Sequence, residues 1–154
     1  MNKIIEDVTN RILKRSKKSR DIYLKRISDA KRKDVNRASL DCANLAHAIA
    51  PMNKQEKEFI SEMKAFNMGI VTAYNDMLSA HEPYSSYPLI LKKELLKYGS
   101  TAQVSGGVPA MCDGVTQGQP GMELSLFSRD NIAMGSAIAL SHNTYDGAFF
   151  LGIC

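Results

Sequence analysis

Cys112 and Asp113 place a thiol and a carboxylate side by side, a soft and a hard ligand type, inside the stretch from Gly106 to Glu123. That stretch holds five of the chain's ten glycines and two of its five prolines, too much punctuation for a continuing helix or a central strand. A shaped loop is expected, with glycines letting backbone N–H groups approach a ligand closely. By composition alone the same residues also suit a plain turn-rich connection. A second polar cluster stands upstream, where Asn75, Asp76, Ser79 and His81 fall within seven residues directly after an apolar run. Cys154 completes the set, at the end of the continuously apolar segment Ala148–Ile153.

Positioning these groups requires an element before each. Asn67 to Tyr74 is rich in β-branched and apolar residues and predicts a buried strand. Thr101 to Val104 predicts a short second strand leading into the Gly-rich loop, and Ala148 to Cys154 a third, central one. Between them, Tyr87 to Tyr98 predicts a helix with Pro88 in its first turn and Gly99 as its stop, and Leu124 to Asn143 another. The second has Ser128–Asp130 as a start signal and Ile132, Ala133, Ala137, Ile138 and Leu140 as its buried face. Strand and helix alternate with connections long enough for parallel crossovers, so the expected class is α/β, a parallel sheet flanked by helices. In such sheets ligands sit outside the carboxyl ends of the strands. All three polar clusters converge there, which makes that edge the candidate active site.

Upstream the chain predicts helices only. Apolar residues from Ile4 to Ile27 recur at three- and four-residue steps among Lys and Arg, giving an amphipathic helix over about residues 3 to 32, with a break expected at Ser16–Ser19. Residues 37 to 50 and 54 to 66 predict two further helices, the first stopped by Pro51 and the second striped by Phe59, Ile60, Met63 and Phe66. Cys42 is expected in the core and His47 on the helix surface or in packing rather than as a ligand. The expected organisation is thus a helical segment over 1–66 and the first part of an α/β domain over 67–154. An apolar strand running into Cys154 without a cap or polar tail suggests an incomplete domain, a fragment of something longer.

Composition narrows the classes. With 44% hydrophobic and 23% charged residues the 154-residue chain is ordinary globular material. No run approaches the ~18 apolar residues of a membrane span, and no signal peptide is legible at the N-terminus. Three cysteines without framework spacing suit a reducing compartment, so a cytoplasmic location is expected. The net charge of +4 divides into thirteen Lys/Arg against five Asp/Glu in residues 1–37 and seven against eleven thereafter. The basic arm allows an alternative class, a module binding nucleic acid or a partner helix. Its basic residues are not interleaved with aromatics, so a solvated helix face is the expected role and nucleic acid is not the expected partner.

The motifs Gly106–Gly118 and Gly121–Arg129 resemble the signature of the dihydroxy-acid dehydratase and phosphogluconate dehydratase family. Thr72–His81, Ser141–Asn143 and Asp146–Cys154 resemble its 6-phosphogluconate dehydratase branch. The resemblance runs through essentially the whole chain and implies the N-terminal part of a carbon–oxygen lyase. Its reaction is dehydration of 6-phospho-D-gluconate to 2-dehydro-3-deoxy-6-phospho-D-gluconate in the Entner-Doudoroff pathway; the alternative within the family is another sugar acid or a dihydroxy acid. It also implies an iron–sulfur cluster, with a magnesium ion in some members. Cys154 matches the cluster cysteine and Asp113 the aspartate that holds the divalent ion. Asn75, Asp76, Ser79 and His81 are expected at the substrate edge, the substrate being a small sugar-acid phosphate. The dihydroxy-acid branch carries a further cluster cysteine in the loop after the first strand, and that loop holds none here, so a 4Fe–4S cluster completed by a cysteine beyond residue 154 is expected. The catalytic base is expected beyond residue 154 as well, the fragment alone inactive, and the full-length protein a homodimer.

Overall fold

The computed structural model describes residues 2–31, 33–107 and 110–153; Cys154 lies outside them. The chain divides into two compact units, residues 1–33 and 34–154.

The first unit is one helix, α1 (Lys3–Ala30), capped by the Asn2 side chain, which accepts the Ile4 amide at 2.9 Å. It runs unbroken through Ser16 and Ser19, where a break was expected. Both hydroxyls bond back into the helix, Ser16 to the Ile12 carbonyl at 2.7 Å and Ser19 to the Ser16 carbonyl at 2.9 Å, so neither diverts the backbone.

In the second unit the first helix signal resolves into a 3₁₀ turn at Asn36–Ser39 and a short helix α2 (Cys42–Ile49). Cys42 opens α2 and is exposed, not in the core as expected. Helix α3 (Lys54–Ser61) begins with a reciprocal Asn53–Glu56 capping box and stops five residues earlier than the sequence suggests. There Met63 takes a positive φ of 54°, reversing the chain toward the first strand and leaving Phe66 exposed.

Three strands, β1 (Asn67–Thr72), β2 (Thr101–Gly107) and β3 (Gly147–Leu151), form a parallel sheet in the order β2-β1-β3. The α/β class is therefore as expected. The centre is β1, with Ile70 fully buried and Val71 nearly so; among the described residues β3 pairs with β1 alone, at the edge rather than in the central place expected, and Phe150 is 59% exposed. Helix α4 (Tyr87–Lys97) follows β1 and packs against β2. Beyond the Gly-rich stretch come α5 (Asp113–Thr116), α6 (Met122–Leu126) and α7 (Ser128–Ala139). The single helix expected over 124–143 thus breaks at Phe127, and α7 begins at the Ser128 start signal. Its inward stripe is Ile132, Gly135, Ser136 and Ala139, whereas Ala133, Ala137 and Ile138, expected inside, are exposed. The expected face lay about one residue off, a rotation of some 100° on an α-helix.

Residues 34–66 are tied to the sheet through a buried ion pair. Asp146 accepts the backbone N–H of Asn36 at 2.6 Å with Oδ1 and that of Asn67 at 2.9 Å with Oδ2. Its partner Arg37 lies 3.5 Å away, 1% exposed, and donates Nε and Nη2 to the Ile60 carbonyl at 3.3 and 3.2 Å. Desolvation by burial lowers the Arg37 pKa, outweighing the attraction of Asp146.

Candidate functional site

Parallel pairing aligns Thr72 at the end of β1 with Gly107 of β2 and Leu151 of β3, so the three carboxyl ends are level. One irregularity shapes this edge. Ile70 pairs with Val104 but Val71 with Gly106, leaving Ser105 as an extra residue in β2. Gly106, with φ 107°, completes the bulge, and the Ser105 hydroxyl donates to the Ile70 carbonyl at 3.2 Å. The bulge re-aims the chain as it enters the Gly-rich stretch.

After β1, Ala73 still donates its N–H to the Leu151 carbonyl at 2.9 Å, extending the contact with β3. Asn75 then turns the chain: its Oδ1 accepts the Leu78 amide at 2.9 Å, while its Nδ2 reaches across to the Ala110 carbonyl at 3.5 Å. One amide thus joins the loop after β1 to the stretch after β2. Asp76 and Ser79 are exposed on this loop. His81 is fully buried. Its Nδ1 lies 2.7 Å from the Ala73 carbonyl and so carries the proton, while Nε2 is buried without a partner among the described residues. The ring locks the loop against the strand end, and Tyr84 packs edge-on against it.

Asp113 opens α5, exposed, at one wall of a pocket of about 460 Å³ lined also by Met111, Cys112, Ser125, Leu126, Ser128 and Arg129. Ser125 donates to Asp113 Oδ1 at 2.8 Å, leaving Oδ2 with no bond among the described residues. The same hydroxyl lies 2.7 Å from the Met122 carbonyl, and its single proton serves one acceptor at a time. The pocket therefore combines one carboxylate, one guanidinium and two hydroxyls. Beside it, Val71, Ala73, Ala110, Ile132, Phe150, Leu151 and Ile153 line an apolar slot of about 330 Å³ between the ends of β1 and β3. Ser125 and Arg129 escaped the sequence reading because only the turn at Phe127 brings α6 and α7 around Asp113. At the opposite, amino end of the strands, His47 and His142 share a separate pocket of about 520 Å³.

Asp113 suits a hard divalent ion as a single oxygen ligand, presented by Ser125 and open on its other side. No three His, Cys, Asp or Glu side chains come together to hold a metal among the described residues. Cys42 and Cys112 are free thiols, and neither belongs to such a group.

Residues 66–154 match the Dihydroxy-acid/6-phosphogluconate dehydratase N-terminal family. The chain belongs to this family. Over all 154 residues it is 54% identical to the phosphogluconate dehydratase of Escherichia coli K12 and 52% identical to that of Zymomonas mobilis, covering 26% and 25% of those proteins. A dihydroxy-acid dehydratase of Akkermansia muciniphila is 30% identical over 87 residues, 56% of this chain and 15% of that protein. The chain thus spans about a quarter of the length of the phosphogluconate dehydratases it matches. Within the family match, the carboxyl edge carries Asn75, Asp76, Ser79 and His81 after β1 and Asp113 after β2. The helices before residue 66 lie outside that match, although the phosphogluconate dehydratases are similar through them too. No helix of the described residues is long and apolar enough to cross a membrane.

Proposed function

We propose that this chain is the N-terminal part of a cytoplasmic phosphogluconate dehydratase, which removes water from 6-phospho-D-gluconate to give 2-dehydro-3-deoxy-6-phospho-D-gluconate in the Entner-Doudoroff pathway. The observation that carries this reading is the extent of the likeness. Likeness to phosphogluconate dehydratases extends over all 154 residues, the helices before the sheet included, at 52–54% identity overall, whereas the likeness to a dihydroxy-acid dehydratase covers 87 residues at 30%.

The reaction removes the proton at C2 and the hydroxyl at C3, and the resulting enol tautomerises to the 2-keto acid. A 4Fe–4S cluster, held in part by Cys154, would supply a Lewis acid for the leaving hydroxyl. Asp113 would hold a magnesium ion through Oδ2 while Ser125 fixes its orientation. Arg129, the cation in the same pocket, suits the substrate's carboxylate or phosphate, since a guanidinium meets either with paired donors. Asp76 and Ser79 stand exposed where the polyol chain would lie. Asn75 holds their loop at its distance from the Asp113 stretch, and His81 supports it from beneath. The base at C2 comes from beyond residue 154.

The test uses the full-length protein, purified without oxygen and assayed for 6-phosphogluconate dehydration beside its iron and sulfide content. Activity lost in both Cys154→Ser and Asp113→Asn, with iron lost only in the first, is the expected result. Turnover of a dihydroxy acid or an unphosphorylated sugar acid in preference to 6-phosphogluconate would overturn the substrate assignment.

A further inference from the structure

The pocket beside Asp113 holds opposite charges that do not meet. Asp113 and Arg129 both line it, yet among the described residues no ion pair joins them and no hydrogen bond holds the Arg129 guanidinium. Its backbone position is nonetheless fixed. Arg129 is the second residue of α7, whose first turn is closed by the Asp130 and Asn131 amides, both donating to the Phe127 carbonyl at 3.2 Å. The hydroxyl donors of the pocket are already committed. Ser128 gives its proton to the Ser125 carbonyl at 2.7 Å, and Ser125 gives its own to Asp113 or to the Met122 carbonyl. Cys112 offers only a weak S–H donor. Recognition of an anion entering this pocket therefore falls to Arg129.

A sugar-acid phosphate carries an anion at each end, a carboxylate at C1 and a phosphate at C6. In the dehydration proposed here, on which this assignment rests, the bonds that break lie at C2 and C3, next to the carboxylate and remote from the phosphate. Asp113 keeps Oδ2 free for a divalent ion, and a 2-hydroxy carboxylate supplies the chelating oxygens that such an ion takes. The same carboxylate still has lone pairs to accept the paired N–H groups of a guanidinium. A cation at Asp113 and an anion at Arg129 then leave neither charge of the pocket without a partner. We propose that Arg129 binds the C1 carboxylate of the substrate and not its phosphate, and so fixes which end of the sugar acid faces Asp113. It selects 2-hydroxy acids as a class and is blind to phosphorylation, which other residues read.

The experiment separates the two ends by direct binding to the full-length, iron-loaded protein with magnesium present, read by calorimetry. One probe, 3-deoxy-D-gluconate, carries the carboxylate without a phosphate and has no C3 hydroxyl to lose. The other, D-glucitol 6-phosphate, carries the phosphate without a carboxylate. Arg129→Gln is expected to weaken 3-deoxy-D-gluconate about ten- to a hundredfold, the loss of a charge-assisted contact, and to leave D-glucitol 6-phosphate within about twofold. Arg129→Lys keeps the charge without the planar fork and is expected to fall between wild type and Arg129→Gln for the first probe alone. Circular dichroism and iron content equal to wild type check that both variants fold and load. Weakening confined to D-glucitol 6-phosphate, equal for both probes, or absent for both would overturn the assignment of Arg129 while leaving the dehydratase reading in place. A wild-type protein that binds neither probe would overturn both.

Discussion

Replacing Asp146 by Ala tests whether one buried carboxylate holds residues 34–66 to the sheet. The substitution removes the acceptor of two backbone N–H groups, Asn36 at 2.6 Å and Asn67 at 2.9 Å, and leaves the 1%-exposed Arg37 without its counter-charge. A buried donor without an acceptor costs about 1–3 kcal/mol, and breaking a buried pair from one side about 3–5 kcal/mol. The larger figure sets the scale, because the contributions overlap. Arg37→Met should cost less, about 1–3 kcal/mol, since Asp146 keeps both amides and the loss falls mainly on the Ile60 carbonyl. Desolvation already lowers the Arg37 pKa, so the guanidinium itself adds little net stability. In the full-length protein the readout is amide hydrogen exchange of peptides covering residues 36–40 and 67–72. A loss of 3–5 kcal/mol accelerates exchange through local opening by roughly two to three and a half orders of magnitude, at ~1.4 kcal/mol per tenfold. Unchanged exchange in Asp146→Ala, or a greater effect of Arg37→Met, would refute the assignment of Asp146 as the hub.

Gly107→Ala should separate the ends of β1 and β2, since a Cβ there would clash with the Thr72 backbone oxygen. About 1–3 kcal/mol of lost stability is expected in denaturant titration, against almost none for Gly121→Ala, where the space is open. Asn75→Asp keeps an acceptor for the Leu78 amide but loses the donor to the Ala110 carbonyl, so the full-length protein should lose about 0.5–1.5 kcal/mol of stability in denaturant titration. Burial raises the pKa of Tyr145 above its usual 10.0. The folded state therefore holds this proton more tightly than the unfolded chain, and the stability it contributes is complete below pH 10.0 and is lost as pH rises beyond that value. Tyr145→Phe should leave the denaturation midpoint unchanged at pH 8 and reduce its fall as the pH rises above 10.0.

Much of the α/β arrangement follows from local chemistry. The β-branched run at 67–72, the apolar and aromatic run at 147–151, Pro88 and Gly99 around α4, and Ser128 at the start of α7 each state an element in a few residues. Once strands and helices alternate, parallel pairing and a shared carboxyl edge follow from the length of the crossovers. The polar residues after β1 and Asp113 after β2 are legible for the same reason, because a strand's end fixes where the next residues begin. What the local pattern could not state depends on partners far along the chain. Whether an apolar strand is central or at the edge depends on what pairs beside it; among the described residues β1 has a neighbour on each side and β3 on one. Which side of α7 faces inward was decided by the turn at Phe127, and that turn also brought Ser125 and Arg129 around Asp113. His81 reads as a substrate-edge residue from its place in the loop after the first strand, and the return of the loop buries it against Ala73. Asp146, Arg37 and Asn67 form one cluster across 109 and 79 residues of sequence. Sequence determined the elements and the kinds of residue at their ends; the tertiary structure decided which of those residues meet, because burial and pairing belong to the packed chain as a whole.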